Sequence, residues 1–301
     1  MAISSLKGRW ALVLGASSGF GEAISLKLAE EGMNIFGVHL DRKGTQAHVE
    51  EVVNRVKGFG VKAQYFNVNA SDSVKRAEVI AEVAKAAPQG VHCLVHSLAF
   101  GSLKPFLTVD PKERISPEQM NMTLDVMAHS LVYWCQDLFE KGLLAKGAKV
   151  FAMTSSGGTR VWFTYGAVSA AKAALESHCR QLALEFGKHG IAVNAIRAGV
   201  TDTPALRKIP GHEQMIEIAK SRNPGGRLTT PEDVGRAICL FARDEALWLT
   251  GNTLGVDGGE IDDSCVVGHS REQQHFRDWG QLGALEFIKG HNFSRLQVRD
   301  R

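Results

Sequence analysis

The chain has 301 residues, 44% hydrophobic and 22% charged, with 35 Lys and Arg against 32 Asp and Glu. That balance supports a sizeable core and excludes a disordered chain, and a scattered net charge of +3 does not imply nucleic acid. The five cysteines, Cys93, Cys135, Cys179, Cys239 and Cys265, form no CxxC pair and no Cys/His cluster of metal-ligand spacing, so reduced thiols and no metal are expected.

The first apolar run, RWALVL (9–14), has strand length and is too short for a signal peptide or a span. No apolar stretch reaches the ~18 residues of a membrane helix. A soluble, cytoplasmic protein is expected, with no membrane partner. The run leads into LGASSGFGEAI, where Gly15, Gly19 and Gly21 make G-x-x-x-G-x-G ahead of a helix over 20–31. Such a turn lets the backbone approach a pyrophosphate and aims helix N–H groups at negative charge. Alone the motif is weak evidence; in the first βα unit of a seven-strand parallel pattern it becomes strong, against an ordinary tight turn.

The second strand, 34–40, ends in HLDRK. Asp41 suits the ribose hydroxyls of NAD, whereas Arg42 and Lys43 suit the 2′-phosphate of NADP. Two cations against one anion favour NADP. A helix over 45–58, a strand over 61–66, a helix over 72–86 entered at Ser71-Asp72 and a strand over 91–97 follow. Next come a helix over 117–141, a strand over 148–154, a helix over 164–188 and a strand over 191–196. The last pair is a helix over 231–243, with Pro231 in its first turn, and a strand over 252–256.

The strands are Val-rich and nearly continuous in apolar residues, as strands buried on both faces are. Strand and helix alternate, so the sequence predicts an α/β fold. It is a single doubly wound Rossmann domain over 1–263, with a seven-stranded parallel sheet and helices on both faces. Segment 203–230 leaves the sheet where α/β proteins bind ligands, and reads as a substrate lid or a surface excursion. Residues 264–301 read as a charged C-terminal extension.

YGAVSAAKAALE (165–176) sets Tyr165 and Lys172 seven positions apart at the start of a helix. Such a pair has a chemical use. A phenol of pKa ~10 is a poor proton donor at neutral pH, and a nearby ammonium favours its ionised form. Seven residues span about 20° around a helix axis and ~10.5 Å along it, so the two share a face. Tyr65 and Tyr133 fall within strand and helix patterns, which leaves Tyr165 as the well-placed phenol.

Together with the glycine loop, this pair resembles the short-chain dehydrogenase/reductase family over about residues 6 to 262. SLAFG at the fourth strand, NAIRAGVTDT after the sixth and LTGNTLGVDGG at the end share the resemblance. The family's main branch spaces Tyr and Lys by four. Four positions before Lys172 stands Val168, which has no acid chemistry. The seven-residue gap resembles the enoyl-acyl-carrier-protein reductases instead. So do LVHSLAFG (94–101), ISPEQMNMTLDVMAHSLVYW (115–134) with its Ser130, and TTPEDVG (229–235).

The resemblance implies hydride transfer to the β-carbon of a 2,3-unsaturated acyl thioester, with Tyr165 stabilising the enolate oxygen and Lys172 holding the nicotinamide ribose. One position departs. Where that branch has a second tyrosine, ten residues before the first, this chain has Ser155, the position of the main branch's catalytic serine. A ketone/alcohol (3-oxoacyl-type) dehydrogenase using Ser155, Tyr165 and Lys172 is therefore an alternative. A non-catalytic dinucleotide sensor on the same fold is another.

Carried over by position, Gly15, Ser17, Ser18, Gly19, Phe20 and Gly21 line the pyrophosphate and ribose, with Asp41 and Arg42 at the adenine ribose. Asn67 and Val68 meet adenine, and Ser97, Leu98 and Ala99 pass beside the ribose. Gly199, Thr201 and Thr203 contact nicotinamide and phosphate. Phe100, Trp162, Phe163 and Leu206 are candidates for an apolar substrate wall, or are core. The resemblance also implies a homotetramer packed through helices 117–141 and 164–188.

Overall fold

In strand β1 (Trp10–Leu14) every residue is buried, and alternate side chains enter two different cores. Trp10, Leu12 and Leu14 face one, Ala11 and Val13 the other, as the two-residue period of a strand requires. The same split recurs in β2 (Asn34–His39), β4 (Val91–His96) and β5 (Leu144–Ser155). A sheet apolar on both faces needs a helical layer on each. Helices α1 (Gly19–Glu30), α2 (Gln46–Gly58) and α8 (Pro231–Phe241) supply one layer; α3 (Ser73–Ala86), α5 (Ser130–Glu140) and α6 (Gly166–Gly187) supply the other.

This computed structural model describes residues 4–260; the 264–301 extension and Cys265 lie outside them. With β3 (Ala63–Asn67), β6 (Ala192–Ala198) and β7 (Thr253–Val256), the sheet has seven strands in the order β3-β2-β1-β4-β5-β6-β7. All six pairings are parallel. The chain reverses its direction of winding between β1 and β4, so their C-terminal ends open a crevice there.

Helix boundaries follow local chemistry. The Asp72 carboxylate accepts from the Val74 and Lys75 N–H groups, and Thr230 forms a capping box with Asp233 ahead of Pro231. The stretch 117–141 differs from the single regular helix predicted. It consists of α4 (Pro117–Leu124), a π-helical turn (Asp125–His129) and α5. The Ser130 hydroxyl, at the end of that turn, donates to the Val126 carbonyl (2.8 Å), a back-bond that competes with the regular ladder. Segment 203–230 holds a 3-10 turn (Leu206–Lys208) and one short α-helix, α7 (His212–Arg222). Among the described residues no helix is long and apolar enough to cross a membrane.

Candidate active site

The glycine loop joins the end of β1 to α1. The Gly15 N–H donates to the Val38 carbonyl on β2 (2.8 Å), and a Cβ on Gly15 would collide with the Ser97 carbonyl beyond β4. A Cβ on Gly21 would collide with the Gly15 carbonyl. These glycines let three strand ends and a helix N-terminus converge without side chains between them, a cradle whose bare N–H groups fit a pyrophosphate. Ser18 caps α1 through its extended backbone without a side-chain bond. Thr203, which opens the 203–230 segment, packs its methyl against Gly19.

Asp41 stands two residues beyond β2. Burial pushes its carboxyl up, but hydrogen bonds from Ser17, Thr45 and His39 outweigh that and hold it below the ordinary range. Asn67 fixes its backbone in both directions, donating to the Asp41 carbonyl and accepting from the Asp41 N–H, each at 3.0 Å. The Val68 N–H donates to the His39 carbonyl (2.8 Å). Arg42 and Lys43 form no ion pair among the described residues.

Tyr165 is not inside α6, as the predicted helix over 164–188 has it. It is the capping residue (φ −87°, ψ 1°), and the helix begins at Gly166. Thr164 before it has φ +68°, the one non-glycine residue in the left-handed region among the described residues. A β-branched side chain there stores roughly 1–3 kcal/mol. Gly157 accommodates the phenol: a Cβ there would lie 2.5 Å from the Tyr165 ring and 3.2 Å from Ser155 Oγ. Ser155 ends β5, and its buried Oγ has no hydrogen-bond partner.

Burial pushes the Tyr165 phenol up, and the Ser155 hydroxyl, close to it but outside hydrogen-bond geometry, opposes that only weakly. The expectation that Lys172 tunes the phenol is not met in this arrangement. Lys172 is buried two turns along α6 and donates instead to the Met153 carbonyl (2.6 Å). Burial pushes its ammonium down to about 8, against the pull of Glu176 and Cys179. Val168 is buried against Gly101 and takes no part.

Gly199, Thr201 and Thr203 follow β6; Thr201 and Thr203 are buried, with Thr201 Oγ1 donating to the Gly199 carbonyl (3.0 Å). Leu98 packs on the core beyond β4, whereas Phe100 is exposed. Phe163 is exposed, Leu206 is buried, and half-buried Trp162 donates from Nε1 to the Pro210 carbonyl (2.9 Å). Trp162 thus ties the 203–230 segment to the loop carrying Tyr165. Sequence reasoning missed Phe106, whose ring lies on Gly166 beside Tyr165. It also missed His96, a buried side chain with Nε2 on Ser130 Oγ (2.9 Å) and Nδ1 unpartnered. The small residue after Tyr165 was the available signal for Phe106; nothing in the sequence pointed to a buried polar histidine.

The family model described as Enoyl-(Acyl carrier protein) reductase matches residues 15–260. A 3-oxoacyl-[acyl-carrier-protein] reductase of Thermotoga maritima is 27% identical, over 85% of this chain and 99% of its own. An enoyl-[acyl-carrier-protein] reductase (NADH) structure from Aquifex aeolicus superposes with TM-score 0.75 at 26% identity, covering 86% of this chain and 98% of that one. A short-chain dehydrogenase of Burkholderia cenocepacia in complex with NADP gives TM-score 0.73 at 25% identity, covering 85% and 99%.

Proposed function

Because the chain belongs to the short-chain dehydrogenase/reductase family and is an NAD(P)-dependent oxidoreductase, we propose that it reduces the C=C bond of a 2,3-unsaturated acyl thioester with NADPH. The observation that carries this reading is the Tyr165–Lys172 pair itself. The phenol caps α6, the ammonium lies two turns inside, and buried Val168 fills the position between them that a four-residue spacing would use.

The nicotinamide, when bound, supplies the hydride. The protein's own groups do the rest. Hydride arrival at the β-carbon pushes charge onto the thioester oxygen. Burial keeps the Tyr165 phenol protonated through the neutral range, so it donates a hydrogen bond to that oxygen as the charge develops. Lys172 would hold the ribose, and needs its ammonium to do so. Phe100, Phe106, Trp162 and Phe163 bound the apolar part of the substrate, and the 203–230 segment, latched by Trp162, covers it. Asp41 is committed to Ser17, Thr45 and His39, which leaves Arg42 and Lys43 for a 2′-phosphate and supports NADPH over NADH. A homotetramer in the cytoplasm completes the reading.

Ser155 supports a second reading, reduction of a 3-oxoacyl thioester, because its unpartnered hydroxyl lies beside the phenol where a ketone oxygen would accept from both. A crotonyl thioester and a 3-oxoacyl thioester, each assayed with NADPH and NADH, separate these readings. Turnover of the oxo compound alone overturns the first. A strong preference for NADH overturns the cofactor assignment.

A further inference from the structure

Three consecutive residues at the end of β5 each face one group of the site. The Met153 carbonyl accepts from Lys172 Nζ (2.6 Å), the Thr154 hydroxyl donates to Glu176 Oε1 (2.8 Å), and Ser155 faces the Tyr165 phenol. The first and third of these are accounted for above. Glu176 is not.

Glu176 stands four residues after Lys172 on α6, so the two share a helix face. Its carboxylate reaches the Gly158 backbone, where Lys172 also packs. A Cβ built on Gly158 would lie 3.4 Å from Glu176 Oε1 and 3.5 Å from Lys172 Cβ, so one α-carbon borders both side chains. The other groups near the ammonium offer it no negative charge. From β4, His96 is neutral: burial and the nearby lysine push it down to about 3. The Ser130 proton goes to the Val126 carbonyl, so His96 must donate from Nε2, which leaves Nδ1 bare. On α6, burial pushes the Cys179 thiol up to about 12. On β6, Arg197 pairs in register with Thr154 and adds positive charge. In the π-helical turn, Asp125 accepts from the Tyr133 hydroxyl (3.1 Å), and His129 pairs with His178 of α6 (2.9 Å).

We propose that Glu176 is a positioning residue: aimed by the Thr154 hydroxyl, its carboxylate keeps buried Lys172 in the ammonium form that binds the dinucleotide ribose. This rests on the reading of Lys172 as the ribose ligand. It follows from desolvation. A buried ammonium with one carbonyl partner is costly, and a carboxylate one helical turn away favours the charged form. The Thr154 bond fixes that carboxylate without neutralising it.

The test is NADPH affinity, read by ligand fluorescence from about pH 6 to about pH 10, for wild type, Glu176→Gln and Thr154→Val. Glu176→Gln keeps an acceptor for Thr154 and the shape of the side chain, and removes only charge. Wild-type affinity is expected to fall as pH rises past about 8. In Glu176→Gln the fall begins about one pH unit lower, giving roughly 5-fold weaker binding at pH 8, approaching about 10-fold by pH 9, and near-wild-type binding at pH 6. Thr154→Val, which leaves the carboxylate charged but no longer aimed, moves the break in the same direction by less and leaves binding near wild type at pH 6. A wild-type break that Glu176→Gln leaves in place overturns the proposal alone, as does a loss in Glu176→Gln that is equal at all pH values. Wild-type affinity that is flat through pH 8 overturns the ribose role of Lys172, and the proposal with it.

Discussion

Ser155 Oγ and the Tyr165 phenol share one small space, bounded by Gly157, and each has a different bearing on what the site reduces. For an enoyl thioester, the phenol alone meets the developing oxyanion. Tyr165→Phe is then expected to lower kcat by about 10²–10⁴, the usual share of a positioned donor, with the circular dichroism spectrum unchanged. Ser155→Ala, measured on the same substrate, is expected to cost no more than about 3-fold. On a 3-oxoacyl substrate the serine is the second donor to the oxygen, and its loss costs about 10²-fold. A Tyr165→Phe enzyme of undiminished kcat removes the phenol from the chemistry. A Ser155→Ala enzyme that loses enoyl reduction as steeply as ketone reduction removes the distinction between the two readings.

At the scale of elements, the site depends on how closely the β5–α6 connection folds over the phenol. Gly157 lies in that connection, and its φ is not in the left-handed region, so alanine there meets a steric obstacle without backbone strain. The obstacle is the Tyr165 ring, 2.5 Å from the new Cβ. Gly157→Ala is therefore expected to lower kcat about 100-fold while the melting temperature moves by no more than about 4 °C. Unchanged kcat would show that the ring has room to relocate.

The strands and helices around this connection were legible in the sequence because each answers to a periodicity: Val-rich runs for buried strands, capping residues at Asp72 and Thr230 for helix starts. The glycine loop and the Tyr–Lys spacing were legible for the same reason, since both are short-range patterns. The π-helical turn was not, because no apolar period marks it. Nor was the direction of Lys172. A seven-residue spacing fixes a shared helix face, but Tyr165 lies outside the helix, and burial beside the Met153 carbonyl decides where the ammonium goes. The roles of Glu176 and His96 depend on contacts across 22 and 34 residues, beyond any local pattern.

For the whole molecule, one edge of the sheet raises a question about assembly. Among the described residues β7 has four residues and only β6 as a neighbour, so its outer backbone groups have no partner strand there. Leu240 at the end of α8 and Trp248 and Leu249 just before β7 are exposed, Trp248 at 95%. Burying one tryptophan is worth roughly 4 kcal/mol, so a second copy that covers this edge gains substantially from it. On the α5–α6 side, Phe139 and Leu184 are also exposed, a second and separate apolar face. Two distinct self-complementary faces close a tetramer, whereas one closes a dimer. Light scattering is therefore expected to give the mass of four chains for the wild type and of two for Trp248→Glu, because the charge removes one interface and leaves the helical one. A monomeric wild type would exclude both faces. A tetrameric Trp248→Glu would leave assembly to the helices and some surface other than the β7 edge.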